Sequence, residues 1–404
     1  MKNCLLIIGL LTALFFARVS WATTYYVATT GKDSNSGTQS APFKTINKAA
    51  KVVQAGDTVR VLPGQYAAAG SSVHGILTQA NGTASSRIRF VSDTKWDAKI
   101  VSSGAYNVWS NTGNYVDIEG FEVVGDSAAN VGISNLGSFV RIIGNKVHGI
   151  PATTGCSNGN GGAGIEHGNY SASDNDTIGN IVYDIGPLPA DGLPVKSYCN
   201  LAQGIYSSNL RGHIQNNIVY RVAAYGLHLW HAANNVVISN NLSFNNGAKT
   251  ASGFHGGGAI VGAGDLPGGI ILDNTTVSNN IIRNNRGFAI YEMGNTGSGN
   301  RFLNNIIFRN GNNTIMLQTG LASGTRTSDP QMVNFQMDGT GDYHLKSTSP
   351  AIDAGTTACA AETSSCVPST DFDGVNRPQG SAYDIGPFEY PLPQISTPFN
   401  LKIK

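Results

Sequence analysis

A short asparagine-rich motif recurs along the chain and restricts the folds that it can adopt. The second asparagine of successive copies is separated by 35, 37, 24, 39 and 25 residues. A period of 20 to 50 residues is typical of stacked repeats. The sequence therefore predicts a solenoid. The clear copies are Asn216-Asn217-Ile218-Val219, Asn240-Asn241-Leu242-Ser243, Asn279-Asn280-Ile281-Ile282 and Asn304-Asn305-Ile306-Ile307, with weaker ones at Gly144-Asn145 and Gly179-Asn180.

The apolar runs within each repeat have the length of strands. They contain three to five residues, are rich in β-branched side chains, as in Val236-Val237-Ile238, and end at glycine or asparagine. About 24 residues at roughly 3.3 Å each trace three short strands and three turns. We therefore predict an all-β, right-handed parallel β-helix, in which one asparagine per rung forms a ladder of amide hydrogen bonds. The 50 glycines and the low charged fraction of 13% suit such a solenoid.

Four segments are expected along the chain. Residues 1–22 have a lysine near the start, an apolar run and Ser20-Trp21-Ala22 at the end, which is typical of a signal peptide. A cap and first rung follow over residues 23–70, the β-helix over 71–330, and a C-terminal capping module over 331–404. We expect a protein secreted to the periplasm or the exterior, with no membrane span in the mature chain.

The cysteines predict disulfides, and the net charge limits the classes of binding partner. Four cysteines remain after the signal peptide, and an even number in an exported chain predicts two disulfides. Of three pairings, we favour Cys156 with Cys199 and Cys359 with Cys366. The net charge of +1 does not indicate a nucleic-acid partner. We expect a monomer.

Both ends of the chain resemble known exported proteins. Gly31-Lys32-Asp33-Ser34-Asn35-Ser36-Gly37-Thr38, Pro42-Phe43-Lys44-Thr45-Ile46, Ala55-Gly56-Asp57-Thr58-Val59 and Pro63-Gly64-Gln65-Tyr66 resemble the N-terminal signature of β-helix proteins similar to the family 9 pectate lyases. Ser349-Pro350-Ala351-Ile352-Asp353-Ala354-Gly355, the run from Asp371 to Pro378 and the run from Asp384 to Tyr390 resemble a choice-of-anchor Q module. The first resemblance implies a polysaccharide lyase with a lysine base and aspartate-bound calcium.

That implied calcium site has few candidate ligands here. Lys196 is the only lysine between residues 150 and 248, and the aspartates beside it are Asp184 and Asp191, not a compact set of three or four. The chain departs from the family pattern at this point. Asp371, Asp373 and Asp384 of the terminal module are candidates for a structural calcium site instead. The cofactor requirement is therefore left open.

Insertions locate the candidate site. Segments of about 151–163, 187–202 and 247–269 lengthen the rungs, and insertions in a solenoid tend to emerge on its binding face. Alternation along the flanked strands points Ile165, Ile205, Leu227 and Ile290 inward. The same alternation places Glu166, Tyr206, His228 and Tyr291 in one outward column, with Trp230 on the same side. His167, His231 and His255 stand nearby, where strands give way to corners.

This column predicts a protein that acts on a polysaccharide. Trp230 and Tyr206 offer flat faces to sugar rings. Cleavage of a uronate polymer by β-elimination needs a base, a group that steadies the enolate, and an acid. We assign His228 or Lys196 as the base and Tyr206 as the acid. Glu166 completes the catalytic column. The candidates that neutralise the substrate carboxylate or bind the chain around it are Arg211, Arg221, His231, His167, His255, Tyr291 and Glu292.

Two alternatives remain at this level. A hydrolase needs two carboxylates about 5 to 10 Å apart, and Glu166 with Asp184, Asp191 or Glu292 are the candidates. A carbohydrate-binding solenoid without activity would show the same aromatic side chains. A structural role also stands beside each assignment: Glu166 can pair with Arg211, and His228 can bond a neighbouring rung.

Overall fold

Every third strand of the chain joins the same sheet. The computed structural model describes residues 22–187, 201–247, 260–265, 269–360 and 366–391. The described elements are β1 (Thr24–Val27), α1 (Ile46–Ala50), β2 (Thr58–Val61), β3 (Gly64–Ala68), β4 (His74–Thr78), β5 (Ile88–Ser92), β6 (Ala98–Ser102), β7 (Asn107–Asn111), β8 (Val116–Glu119), β9 (Glu122–Val124), β10 (Val131–Asn135), β11 (Arg141–Ile143), β12 (Lys146–Ile150), α2 (Thr153–Asn158), β13 (Gly162–His167), β14 (Ser173–Ile178), β15 (Ile181–Ile185), β16 (Ala202–Ser207), β17 (Leu210–Gln215), β18 (Ile218–Val222), β19 (Tyr225–Leu229), β20 (Val236–Ser239), β21 (Leu242–Phe244), β22 (Ile260–Ala263), β23 (Thr276–Ser278), β24 (Ile281–Arg283), β25 (Phe288–Met293), β26 (Arg301–Leu303), β27 (Ile306–Phe308), β28 (Asn312–Met316), β29 (Leu321–Ser323), β30 (Met332–Asn334) and β31 (Asp342–Leu345).

Three parallel sheets form the walls of the solenoid. The first sheet has the order β1-β2-β5-β8-β11-β14-β17-β20-β23-β26-β29, the second runs from β3 to β27, and the third from β4 to β28. Each rung therefore contributes one strand to each wall in turn. The predicted parallel β-helix is confirmed. Its interior is filled by fully buried Ile, Val and Leu side chains, because alternate residues of every strand face inward.

The predicted asparagine ladder runs along one interior corner. The second asparagine of each motif is fully buried. Its amide donates to the side-chain oxygen of the equivalent residue on the next rung at 2.9 to 3.1 Å, through Asn145, Asn180, Asn217, Asn241, Asn280 and Asn305. Each buried amide is thereby satisfied, which a buried polar group requires. The ladder fixes how successive rungs align.

The first asparagine of each motif has a different role. It adopts a positive φ of about 50° at the corner, a conformation that Asn tolerates, and Gly144 and Gly179 take its place in the two weaker copies. Its amide donates to the C-terminal segment, as from Asn216 to Thr370 O at 2.7 Å and from Asn304 to Ala354 O at 2.8 Å. Equivalent bonds from Asn240 and Asn279 reach Asp384 and Thr356.

The C-terminal segment lies along the side of the solenoid. The sequence instead predicted a module that caps the last rung. Apolar residues of the segment, among them Met332, Tyr343 and Phe388, form a cluster with the outward residues of the second sheet. Tyr220 and Phe244 stack there with ring centroids 4.9 Å apart. The segment binds sideways because these outward residues are apolar.

The cysteines and aspartates are placed as follows. Cys359 and Cys366 form the predicted disulfide, with Cα atoms 5.7 Å apart. Cys156 is also disulfide-bonded, and its predicted partner, Cys199, lies outside the described residues.

Asp371 accepts hydrogen bonds from the backbone N–H groups of residues 373, 375 and 389, so its carboxylate already holds a turn. Within the described ranges, no helix is long and apolar enough to cross a bilayer.

Candidate functional site

The outward column that the sequence predicts lies on the third sheet. The inward neighbours Ile165, Ile205, Leu227 and Ile290 are all fully buried. The pairing of β10, β13, β16, β19, β22 and β25 aligns one outward residue from each strand. In order, these residues are Ser134, Glu166, Tyr206, His228, Val261 and Tyr291. Residues far apart in sequence thus become neighbours about 4.8 Å apart per rung.

Glycines let the third sheet approach the second behind this column. A Cβ on Gly164 would lie 2.3 Å from Cγ1 of Val182, and one on Gly204 would lie 2.5 Å from Cγ1 of Val219. Neither distance is possible between real atoms. The Gly-Ile pattern at these positions therefore sets how closely the wall that carries the column packs on the core.

The first two titratable groups of the column favour their neutral forms. Glu166 Oε1 accepts a hydrogen bond from Ser134 Oγ at 2.6 Å. Burial raises the pKa of Glu166, although that hydrogen bond opposes the shift. Burial also raises the pKa of Tyr206, and the nearby Tyr170 and Glu166 raise it further. The Tyr206 phenol therefore holds its proton at neutral pH and can donate it.

His228 is almost enclosed by aromatic rings. It is 8% exposed. Its ring centroid lies 5.5 Å from that of Tyr206, 4.7 Å from Tyr225 and 6.0 Å from Trp230. Its Nδ1 has no hydrogen-bond partner among the described residues. Burial lowers the pKa of His228 to about 3, and the nearby His231 lowers it further, so the imidazole is neutral at pH 7.

His231 lies beside the column, just past the end of β19. Its φ of 54° is in the left-handed region, which turns the side chain away from the alternation of the strand. Nδ1 lies 2.8 Å from Asp265 Oδ1. The ring lies 4.3 Å from Tyr170 and 5.7 Å from Trp230. Sequence reasoning missed Tyr170 and Asp265, although Asp265 stands in the third insertion and is its only acidic residue.

Two residues assigned to substrate binding are buried instead. His167 is 1% exposed, and its ring nitrogens lie 3.0 Å from Asn135 Nδ2 and 2.8 Å from Thr177 Oγ1. Burial lowers the pKa of His167 to about 4. Glu292, also 1% exposed, accepts hydrogen bonds from the backbone N–H groups of residues 318, 319 and 320. Each residue directly follows an outward residue on its strand, so alternation turns it inward.

Two arginines lie on other walls. Arg211 is the second residue of the first-sheet strand β17 and pairs with Asp174 at 2.8 Å. The alternative pairing of Arg211 with Glu166 is therefore wrong. Arg221 lies on β18 of the second sheet and pairs with Asp184 at 2.5 Å. Neither guanidinium belongs to the column, because each follows a turn that carries the chain to a different sheet.

Of the two aspartates near Lys196, only Asp184 lies in the described part of the chain. In that part, no three His, Cys, Asp or Glu side chains come together in a way that could hold a metal ion. Asp184 is held by Arg221 on the second sheet. Lys196, His255 and Asp191 lie outside the described residues.

The chain matches one protein-family model and is similar to solved structures of polysaccharide lyases. The model of the Pel9A-like right-handed β-helix region matches residues 25–328. The chain belongs to this family. The crystal structure of pectate lyase Pel9A is similar, with a TM-score of 0.64 at 20% identity, covering 92% of this chain and 97% of that one. A rhamnogalacturonan lyase gives a TM-score of 0.54 at 17% identity, covering 78% and 91%. No curated protein matches the sequence.

These relationships settle the fold. The chain is a right-handed parallel β-helix, as the asparagine period predicted, and it has the architecture of a polysaccharide lyase. At these identities, the likeness to the solved lyases concerns the fold alone. One fold hosts many chemistries, so the activity has to be argued from the side chains of the column.

Proposed function

We propose that this protein is a polysaccharide lyase that cleaves a uronate-containing chain by β-elimination at the outer face of the third sheet. The observation that carries the proposal is the cluster of Tyr206, His228 and Trp230. It combines a phenol that keeps its proton, a neutral imidazole and an indole. The imidazole ring lies 5.5 Å from the phenol ring and 6.0 Å from the indole. Such a cluster places an acid and a sugar platform on one wall, with imidazole groups beside them.

The reaction balances with two protein groups. A base removes the proton on the sugar carbon next to the carboxylate. The electron pair left behind forms a double bond to the neighbouring carbon, and the bond from that carbon to the glycosidic oxygen breaks. The leaving oxygen takes a proton from an acid. One new reducing end and one unsaturated end result, and no water is consumed.

Tyr206 suits the acid role. Its hydroxyl remains protonated at neutral pH because burial and nearby acidic groups raise its pKa. A proton is therefore available whenever substrate arrives. Trp230, which is partly exposed, offers an apolar face beside it. The imidazoles of His228 and His231 are the described groups near Tyr206 that can accept a proton.

The hydrolase alternative loses most of its candidates. Glu292 is buried and holds three backbone N–H groups, and Asp184 lies on the second sheet. Glu166 has Ser134 as its hydrogen-bond partner, and its raised pKa favours the neutral acid. An inverting or retaining pair needs a second carboxylate that is ionised and faces the same sugar. Elimination is therefore the better match to the described groups.

A panel of uronate polymers tests the proposal. The purified protein is incubated with pectate, rhamnogalacturonan, alginate and glucuronan, and the absorbance of unsaturated ends is followed together with reducing ends. Both signals should rise together. Reducing ends without that absorbance would identify a hydrolase. Binding with neither signal would identify a carbohydrate-binding solenoid, and either result would overturn the proposal.

The same assay has a control that separates site from scaffold. Tyr183 is an outward tyrosine on the second sheet, stacked between His148 and Tyr220 at 4.6 and 4.9 Å. Tyr183→Phe keeps that stack and should cleave at the unaltered rate.

We also propose export of the mature chain through the N-terminal leader and an anchoring role for the terminal module. Fractionation of cells that produce the full chain, with and without residues 331–404, tests both.

A further inference from the structure

We infer that His231, rather than His228, is the proton acceptor of this site, and that Asp265 is the positioning residue that prepares it. The inference rests on the proposed elimination and deepens it. It starts from a contact that joins β19 to an insertion 34 residues later, between His231 Nδ1 and Asp265 Oδ1 at 2.8 Å.

The contact determines which ring nitrogen is free. An ionised carboxylate can only accept hydrogen bonds, so the nitrogen that faces Asp265 carries the proton. In the neutral imidazole, Nε2 then keeps its lone pair. The two side chains are 28% and 27% exposed, which leaves the pair accessible to a substrate from solvent. A free Nε2 lone pair is what a general base requires.

Two aromatic rings hold the imidazole in position. The Tyr170 ring lies 4.3 Å from that of His231, tilted by 34°, and the Trp230 ring lies 5.7 Å away, nearly perpendicular at 80°. The left-handed backbone of His231 fixes where the side chain leaves the strand. Tyr170 is itself 52% exposed, so its ring edge borders solvent above the pair of His231 and Asp265, which we call the dyad. The imidazole is thereby oriented before substrate binds.

The dyad and the acid share one electrostatic environment. Ring contacts link them: Tyr206 lies 5.5 Å from His228, His228 lies 6.0 Å from Trp230, and Trp230 lies 5.7 Å from His231. A proton on His231 meets the Asp265 carboxylate at 2.8 Å. A proton on His228 meets a buried, aromatic enclosure, and its Nδ1 has no partner among the residues that the structure describes. A developing positive charge is therefore better stabilised on His231.

The resulting step is balanced. His231 Nε2 takes the proton from the carbon beside the sugar carboxylate, and the double bond forms as the neighbouring carbon–oxygen bond breaks. The Tyr206 hydroxyl gives its proton to the leaving oxygen. Solvent afterwards removes the proton from His231 and returns one to Tyr206. His228 stays neutral throughout, as a packing and hydrogen-bonding group beside the sugar.

A matched pair on another wall supplies the control. His213 Nδ1 lies 2.8 Å from Asp176 Oδ1 on the first sheet, with side-chain exposures of 27% and 24%. The contact distance is the same as between His231 and Asp265 and the exposures are similar, but this pair lies on the first sheet and not on the third. Asp176→Asn and His213→Gln should therefore leave cleavage unchanged.

The test compares these variants in the full chain. We expect His231→Gln to lower kcat by roughly 100-fold or more, as for a lost general base. Asp265→Asn should lower kcat about 10- to 100-fold with little change in KM, as for a lost orienting partner. Equal kcat in wild type and His231→Gln, with His228→Gln inactive, would overturn the inference and return the base role to His228.

A second readout does not depend on activity. Nitrogen-15 NMR of the histidine rings reports which nitrogen carries the proton. His231 should be protonated at Nδ1 in the wild type, and Asp265→Asn should raise the population protonated at Nε2. An unchanged tautomer would overturn the positioning role of Asp265. A wild type that cleaves no polymer would overturn the proposed function and the base role, whereas the NMR result still decides whether Asp265 orients His231.

Discussion

The rings of Tyr206 and His228 lie 5.5 Å apart because the two residues are paired across β16 and β19. Twenty-two residues of sequence separate them, and the stacking of one rung on the next brings them together. The phenol keeps its proton and the imidazole stays neutral for the same reason, since burial opposes the charged form of both groups. Substitutions along this column should therefore separate chemistry from scaffold.

Removing the Tyr206 hydroxyl tests the acid. Tyr206→Phe retains the ring that contacts His228 and deletes only the proton donor. We expect kcat to fall by roughly 100-fold or more, because a positioned acid contributes at least that much. Initial rates of double-bond formation measure the loss. Thermal melting should be nearly unchanged, and full activity in Tyr206→Phe would remove this residue from the mechanism.

The buried His228 should make the fold sensitive to acid. Its pKa is about 3 in the folded state and about 6.5 in an unfolded chain. The unfolded state therefore binds the extra proton between these values, and stability falls as pH drops below about 6.5. From pH 7 to pH 5, the loss from this group is on the order of 2 kcal/mol.

Denaturant titrations at the two pH values measure this effect. His228→Gln cannot titrate, so the difference in its unfolding free energy between pH 7 and pH 5 should be smaller than in the wild type by about that amount. The comparison of differences cancels any change in stability that the substitution itself causes. Identical pH dependence in the two proteins would show that His228 is not buried as described.

Glu292 should matter for folding rather than for binding. Its Oε2 accepts from three consecutive backbone N–H groups at 2.8 to 2.9 Å, and Oε1 accepts from Asn300. Glu292→Ala leaves these donors unsatisfied, at a cost on the order of 3 kcal/mol. Chemical denaturation measures the cost. Lost sugar binding in a variant of unaltered stability would instead restore Glu292 to the binding site.

The C-terminal segment should detach when its buried ion pair is broken. Arg377 bonds Glu389, and both side chains are fully buried. Arg377 also donates to Gly386 O at 2.9 Å and to Asn216 Oδ1 at 3.3 Å, which joins the segment to the solenoid. Removing one partner of such a pair costs about 3 to 5 kcal/mol. In limited proteolysis of Arg377→Ala, the C-terminal segment should therefore be cut earlier in time than the β-helix. Arg309→Ala, a substitution on an exposed corner, should resist cleavage like the wild type.

Local pattern was sufficient for much of the column. Strand alternation depends only on neighbouring residues, so it correctly turned Ile165 and Ile205 inward and Glu166, Tyr206 and His228 outward. Applied one residue further, the same rule would have turned His167 and Glu292 inward. Both side chains are buried because position on the strand, and not residue type, decides which face a side chain occupies.

The sequence by itself determined the repeat, the strand faces and the amide ladder, because each follows from spacing within a rung. Only the tertiary structure decided which wall each side chain occupies. Arg211, Arg221 and His231 all adopt a positive φ, and each pairs with a different carboxylate, Asp174, Asp184 and Asp265 respectively. Asp265 meets His231 only because the rungs stack in register across an insertion. The length of such an insertion is visible in the sequence, but where its residues return to the wall depends on packing between rungs.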